Sequence, residues 1–221
     1  YQMKMNMLAT GVYAKTHGLS LSSGIPEERM RAVNGCKRNI DYAASMGCGI
    51  IIGFLKGGPG SDREVSERLF LESMLELKPY IEEKKVQVLI EATNHKEASI
   101  IRTLKEGAHV INFLDCPFIQ LLADTYHMNI EEPSLVDSLS EYMNYYPHLH
   151  ISDDNRAYPG LGSLDFTAIY RKLMECGYKG TVAVEGNIQH GLLEDTQICA
   201  AYLHKMCSGL HTPSRVPSHA V

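Results

Sequence analysis

A closed parallel barrel of the α/β class is the fold this 221-residue sequence predicts, on three observations. Short apolar runs alternate with longer amphipathic stretches, the mark of repeated βα units around a parallel sheet. Within several runs the side chains split by parity into an aliphatic row that suits a helix-covered face and a partly polar row that suits a barrel interior. The partly polar rows end in acidic or imidazole side chains. With 44% hydrophobic and 21% charged residues, the chain has the composition of an ordinary globular domain, which excludes disordered and collagen-like readings.

Six βα units can be counted. The first strand is predicted over about 8–13, and its helix opens at Pro26 with Glu27 and Glu28 in the first turn. That helix carries Met30, Val33, Ile40 and Ala44 on one face and stops at Gly47. A second strand over 50–54 runs into the turn Gly57-Gly58-Pro59-Gly60, then into a long helix from about Asp62 that Pro79 is expected to kink or restart. The third strand is 86–91, followed by a helix over 103–114, a fourth strand over 118–124 and a helix over 134–145. The fifth strand is 148–152. A loop with Pro159, Gly160 and Gly162 leads to a helix over 165–176, a sixth strand over 181–185 and a last helix over 193–207. No linker or repeat divides the chain, so 1–211 reads as one domain. Residues 212–221, with two prolines and no apolar period, read as a loose tail.

Parity carries the functional argument. Val86, Val88 and Ile90 share one face of the third strand, while Gln87, Leu89 and Glu91 share the other. The same division sets Ile119 and Leu121 against Gln120, Leu122 and Asp124, and Val182 and Val184 against Thr181, Ala183 and Glu185. Glu91, Asp124, His150 and Glu185 thus close the last four strands at their carboxyl ends, where βα-barrel enzymes place their chemistry. Acidic residues (26) and histidines (10) fill about one position in six, so four such ends by chance have odds of about one in 1,300, or about one in 80 if each end may slip a position. Three carboxylates and an imidazole in one mouth need a cation or raised pKa values. Hard oxygen donors with one nitrogen favour a single divalent ion, Mn²⁺ first, with Mg²⁺ or Co²⁺ as alternatives. The bland competitor is a set of salt bridges to Arg156.

Other side chains are weaker candidates. His127, three residues past Asp124, suits a substrate contact or plain solvation. Arg156 suits an oxyanion or a surface ion pair. Glu97 suits a hydroxyl contact or an ordinary loop charge. His148 reads as a hydrogen-bonded interior residue rather than a fifth ligand, and the Gly57 to Gly60 segment reads as a turn rather than a phosphate cradle. A formal charge of −5 argues against nucleic acid as a partner, and the longest apolar run, 50–55, is too short to span a bilayer. Six cysteines without a C-x-x-C pair, and no signal peptide, predict reduced thiols and a cytoplasmic location. The chain opens at Tyr1 rather than at an initiator Met.

At these residues the sequence resembles the xylose-isomerase-like barrels, and within them the ketose 3-epimerase group that includes D-tagatose and D-psicose 3-epimerases. Residues Asp124-Thr125-Tyr126-His127-Met128-Asn129-Ile130-Glu131-Glu132 look like that group's DTFHMNIEE signature with one aromatic exchange. His148-Leu149-His150, Asn155-Arg156, Pro159-Gly160 and Gly162 are similar to its H-L-H…N-R…P-G-x-G run, while Glu91 to Asn94 and Gly180 to Glu185 match more weakly. The resemblance implies a metal held by Glu91, Asp124, His150 and Glu185. Glu91 and Glu185 would double as the acid/base pair of C3 epimerisation through a metal-stabilised enediolate, with Glu97, His127 and Arg156 on substrate oxygens. It also implies a small-molecule sugar substrate and a homo-oligomer, dimer or tetramer.

The resemblance implies a (β/α)8 TIM barrel, whose eight βα units exceed the six counted, so the first two are expected to be absent from these residues, which corresponds to about 60 residues upstream or to a partner covering the gap. Rival readings are an aldose–ketose or hydroxypyruvate-type isomerase on the same site, an endonuclease IV-like nuclease, and a non-catalytic sugar-binding barrel. The nuclease reading lacks the D-R-H element after His150 and a basic groove. The loops 153–163 and 186–191 carry one basic side chain, Arg156, apart from His190, which favours a free sugar over a phosphorylated one.

Overall fold

The computed structural model describes residues 3–210, so the loose tail expected over 212–221 lies outside the described residues. Six parallel strands run in sequence order around one sheet: β1 (Met7–Ala9), β2 (Gly49–Ile52), β3 (Val88–Glu91), β4 (Ile119–Asp124), β5 (His148–Ile151) and β6 (Thr181–Val184). The sheet curls far enough for Asn6, just before β1, to donate to the Thr181 hydroxyl at 3.3 Å. No ladder joins β1 to β6 among the described residues, so each presents an open edge.

The parity division is realised in the packing. Val88, Ile90, Ile119 and Leu121 are buried in the main core between sheet and helices, whereas Ile51, Leu89 and Leu122 form a separate small cluster inside the curl with Met7 against it. The outer row fails at β6, where Val182 and Val184 keep 38% and 40% of their surface instead of lying beneath a helix. Eight helices accompany the described strands: α1 (Gly11–His17), α2 (Pro26–Met46), α3 (Arg63–Lys84), α4 (Leu104–Leu114), α5 (Thr125–Glu131), α6 (Leu135–Glu141), α7 (Phe166–Glu175) and α8 (Leu192–Leu210). Among the described residues, no helix is long and apolar enough to cross a membrane.

Helix boundaries follow local chemistry. Pro26 occupies the first turn of α2 and Gly47 ends it in the left-handed region at φ 65°. Asp62 caps α3 by accepting from the Val65 amide at 2.9 Å. Pro79 does not restart that helix, which runs unbroken over Arg63–Lys84: Phe70, Met74, Leu77 and Ile81 are buried on either side of it, and their packing carries the helix past the missing N–H.

Two further expectations are corrected and one helix is added. The first strand ends at Ala9, since the Thr10 amide and hydroxyl both bond to the Ile51 carbonyl and the chain turns into α1 at Gly11. The segment between the strand expected over 118–124 and the helix expected over 134–145, for which the sequence predicts no element, holds helix α5, capped directly by the Asp124 side chain. The helix expected over 134–145 stops at Glu141, beyond which Tyr146 turns inward and donates its hydroxyl to the Leu139 carbonyl at 2.6 Å.

Candidate metal centre

Consecutive parallel strands in register bring their carboxyl ends to one rim, and interior parity points the terminal side chains into one mouth. Glu91, Asp124, His150 and Glu185 converge there, each offering one ligand atom, with all four atoms within 4.8 Å of one another. His150 Nδ1 lies 2.9 Å from Glu185 Oε2, 3.8 Å from Asp124 Oδ2 and 3.9 Å from Glu91 Oε1. Asp124 is held by both ends of its carboxylate: Oδ1 accepts the Tyr126 amide at 2.9 Å at the start of α5, and Oδ2 accepts Arg156 Nη1 at 2.7 Å. Glu91 is packed edge-on against Gly53, where a Cβ would stand 2.4 Å from its Oε2. Its other oxygen, Oε1, is buried without a hydrogen-bond partner.

Burial and crowding decide the protonation states. Burial, with Asp124 and Glu185 as like-charged neighbours, pushes the Glu91 carboxyl up to about 8. Burial also raises Asp124, to about 6, against the pull of the Arg156 guanidinium. Glu185 goes the other way: burial would raise it, but the His150 hydrogen bond and the His150 and Arg156 charges outweigh burial and hold it at about 2. His150 is raised, its burial overcome by the hydrogen bond and charge of Glu185.

The secondary candidates separate. His127 is buried beside the cluster, with Nε2 3.8 Å from Glu91 Oε1. Its Nδ1 receives the Asn94 backbone N–H at 3.3 Å and lies 2.8 Å from the Asn94 side-chain amide nitrogen. A backbone N–H can only donate, so Nδ1 is the acceptor and the neutral ring carries its proton on Nε2, facing the mouth. Burial pushes this imidazole down to about 3. Arg156 enters the cluster itself, bridging Asp124 and Glu185 Oε2 (2.8 Å) while its guanidinium stacks over Tyr126 at 4.9 Å. Its backbone is left-handed, φ 63°, an unusual conformation for a side chain of this size. Glu97 is not brought into the cluster and stays exposed in the turn after β3. His148 is buried and bonded to Thr181, as an interior residue.

Sequence reasoning passed over Lys56 and Asn94, both fully buried at the rim. No local pattern marks either. Asn94 follows the third strand within a segment quoted only for its weak match, and Lys56 reads as an ordinary solvated lysine.

The donor set suits a hard divalent ion: three carboxylates, one imidazole and a buried carboxylate oxygen with no hydrogen-bond partner. A carboxylate and imidazole centre at the strand ends of a parallel βα sheet defines the class of this protein. Residues 2–201 match the Xylose isomerase-like TIM barrel family, and the chain belongs to it. Among its relatives, 3-dehydro-D-guloside 4-epimerase of Escherichia coli is 37% identical over 102 residues, covering 46% of this chain and 39% of that protein. D-psicose 3-epimerase of Enterocloster bolteae is 26% identical over 197 residues, covering 86% and 65%. The chain therefore spans less than two thirds of either relative. The crystal structure of 3-keto-D-glucoside 4-epimerase from E. coli superposes with a TM-score of 0.79 at 24% identity, covering 93% of this chain and 80% of that one, which is a likeness of fold.

Proposed function

We propose that this chain carries the catalytic centre of a divalent-metal-dependent sugar epimerase that moves a proton on a carbon beside a ketone, first of all at C3 of a free ketose. The observation that carries the reading is the convergence of four ligand atoms beside a buried Glu91 oxygen that has no hydrogen-bond partner. Glu91, Asp124, His150 and Glu185 would hold the ion, Mn²⁺ first. Such an ion supplies Lewis-acid polarisation of the ketone and its neighbouring hydroxyl, which makes the C–H acidic enough to ionise.

The chain's own groups do the rest. Glu91 from β3 and Glu185 after β6 stand three strands apart, so one carboxylate would take the C–H proton from one face of the ketose, leaving the enediolate, and the other would return a proton to its opposite face. His127 directs its Nε2–H at a substrate oxygen, its tautomer set by Asn94. Arg156 contributes a guanidinium at the rim for a second oxygen, and Glu97 reaches a hydroxyl from the turn above. Arg156 is already paired and Lys56 is buried, which favours an unphosphorylated sugar.

A second reading rests on the relative at 37% identity: the same abstraction at C4 of a 3-keto sugar. Turnover in D₂O with added Mn²⁺ tests both. Deuterium at C3 of a ketose product supports the first reading, deuterium at C4 of a 3-keto glycoside the second, and deuterium only at C1 an aldose–ketose isomerase. Absence of exchange with all of these substrates would leave a sugar-binding barrel in place of an epimerase.

A further inference from the structure

Lys56 is a fully buried lysine at the metal rim that the proposed reaction does not use. It ends the short 3-10 turn Phe54–Lys56 that follows β2, and its side chain runs inward rather than into solvent. The ammonium lies 3.0 Å from the Glu91 carbonyl oxygen and 3.5 Å from the Gly53 carbonyl, and it bonds the Thr93 hydroxyl. These are neutral acceptors, and among the ion pairs of the described residues none includes Lys56. A desolvated ammonium is costly unless its donors are used, and here they are spent on the ends of two neighbouring strands.

Those contacts bear on one side chain. The Glu91 carbonyl fixes the end of β3, from which the Glu91 carboxylate projects. The Gly53 carbonyl belongs to the residue whose Cα forms the wall against Glu91 Oε2, with no room for a Cβ. Lys56 thus ties the wall to the strand end it braces. Its charge is also felt by the Glu91 carboxyl, which it draws toward the ionised form.

We propose that Lys56 is a positioning residue for Glu91, clamping the Gly53–Lys56 turn to the end of β3 so that the Glu91 carboxylate presents Oε1 to the ion. The inference rests on the epimerase reading for its metal. Mn²⁺ affinity, measured by paramagnetic resonance of the free ion, separates failure of the one from failure of the other.

Lys56→Met keeps the volume and removes the clamp. It should weaken Mn²⁺ binding about ten- to hundredfold and lower kcat by a comparable factor, with KM within about threefold of wild type. Lys56→Ala opens a slot for a small amine, so added n-propylammonium should restore part of the Mn²⁺ affinity, a rescue that a merely structural lysine would not show. Gly53→Ala presses directly on Glu91 Oε2 and should weaken Mn²⁺ with Lys56 intact, which keeps the test decisive even where Lys56→Met fails to fold. Wild-type affinity in folded Lys56→Met, or in Gly53→Ala, would overturn the positioning role alone. A wild-type chain that binds no Mn²⁺ would overturn the metal reading and this inference together.

Discussion

The Glu91 carboxyl sits against strand backbone with two other carboxylates beside it, so its proton is retained up to about 8. A divalent ion binds only the carboxylate and must displace that proton below this value. Mn²⁺ affinity should therefore rise with pH, about tenfold per unit while one proton is released, and level off above about 8. Asp124, raised to about 6, steepens the dependence at lower pH, whereas Glu185 is already ionised and adds nothing. Calorimetric titration between pH 6 and 9 checks this, and a flat profile would mean that Glu91 is ionised before the ion arrives. Arg156 competes for the same oxygens through Asp124 and Glu185. Arg156→Ala should thus keep Mn²⁺ binding while raising KM about tenfold, the loss of one charge-assisted hydrogen bond to substrate. Loss of Mn²⁺ binding in that variant would instead assign Arg156 to holding the ligands. The four proposed ligands were legible because strand parity and strand ends are local patterns. Lys56 was not, since its inward course is fixed by bonds to Glu91 at the end of β3 and to Thr93 just past it, which no window of sequence around it contains.

At the scale of single elements, long helices with explicit caps were readable and short ones were not. Pro26, Gly47 and Asp62 mark their boundaries by mechanisms that act within a turn. Helix α5 has seven residues and begins on Asp124, a side chain whose strand-end position suggested a ligand and hid its second use as a cap. Helix α4 gives the cleanest energetic test. Thr103 accepts the Glu106 amide at 3.2 Å, and Glu106 accepts the Arg102 amide at 2.9 Å in return, a reciprocal cap at the start of the helix. Thr103→Ala should cost about 1 kcal/mol of unfolding free energy, read from the urea midpoint at unchanged slope. A loss below about 0.3 kcal/mol would show that Glu106 holds the helix start unaided.

For the whole molecule, the sequence count of six βα units and their order are those of the sheet, but the outer covering is uneven around it. Val88 and Ile90 on β3 are wholly buried beneath helices, while Val182 and Val184 occupy the equivalent outward row of β6 and remain more than a third exposed. Parity predicts which way a side chain points, and only the tertiary arrangement decides whether a helix lies over it. The stability of these 221 residues should accordingly be carried by the middle of the sheet. Ile90→Ala removes fully enclosed methylenes and should cost about 2–5 kcal/mol, whereas Val184→Ala, already in contact with solvent, should cost less than about 1 kcal/mol. Hydrogen exchange should follow the same gradient, with the β3 and β4 amides protected to near the global limit and the β6 amides opening at lower free energy, because one edge of β6 has no partner strand among the described residues. Equal losses for the two substitutions, together with full protection of Thr181–Val184, would show that the outer face and free edge of β6 are covered in solution by something beyond the described residues.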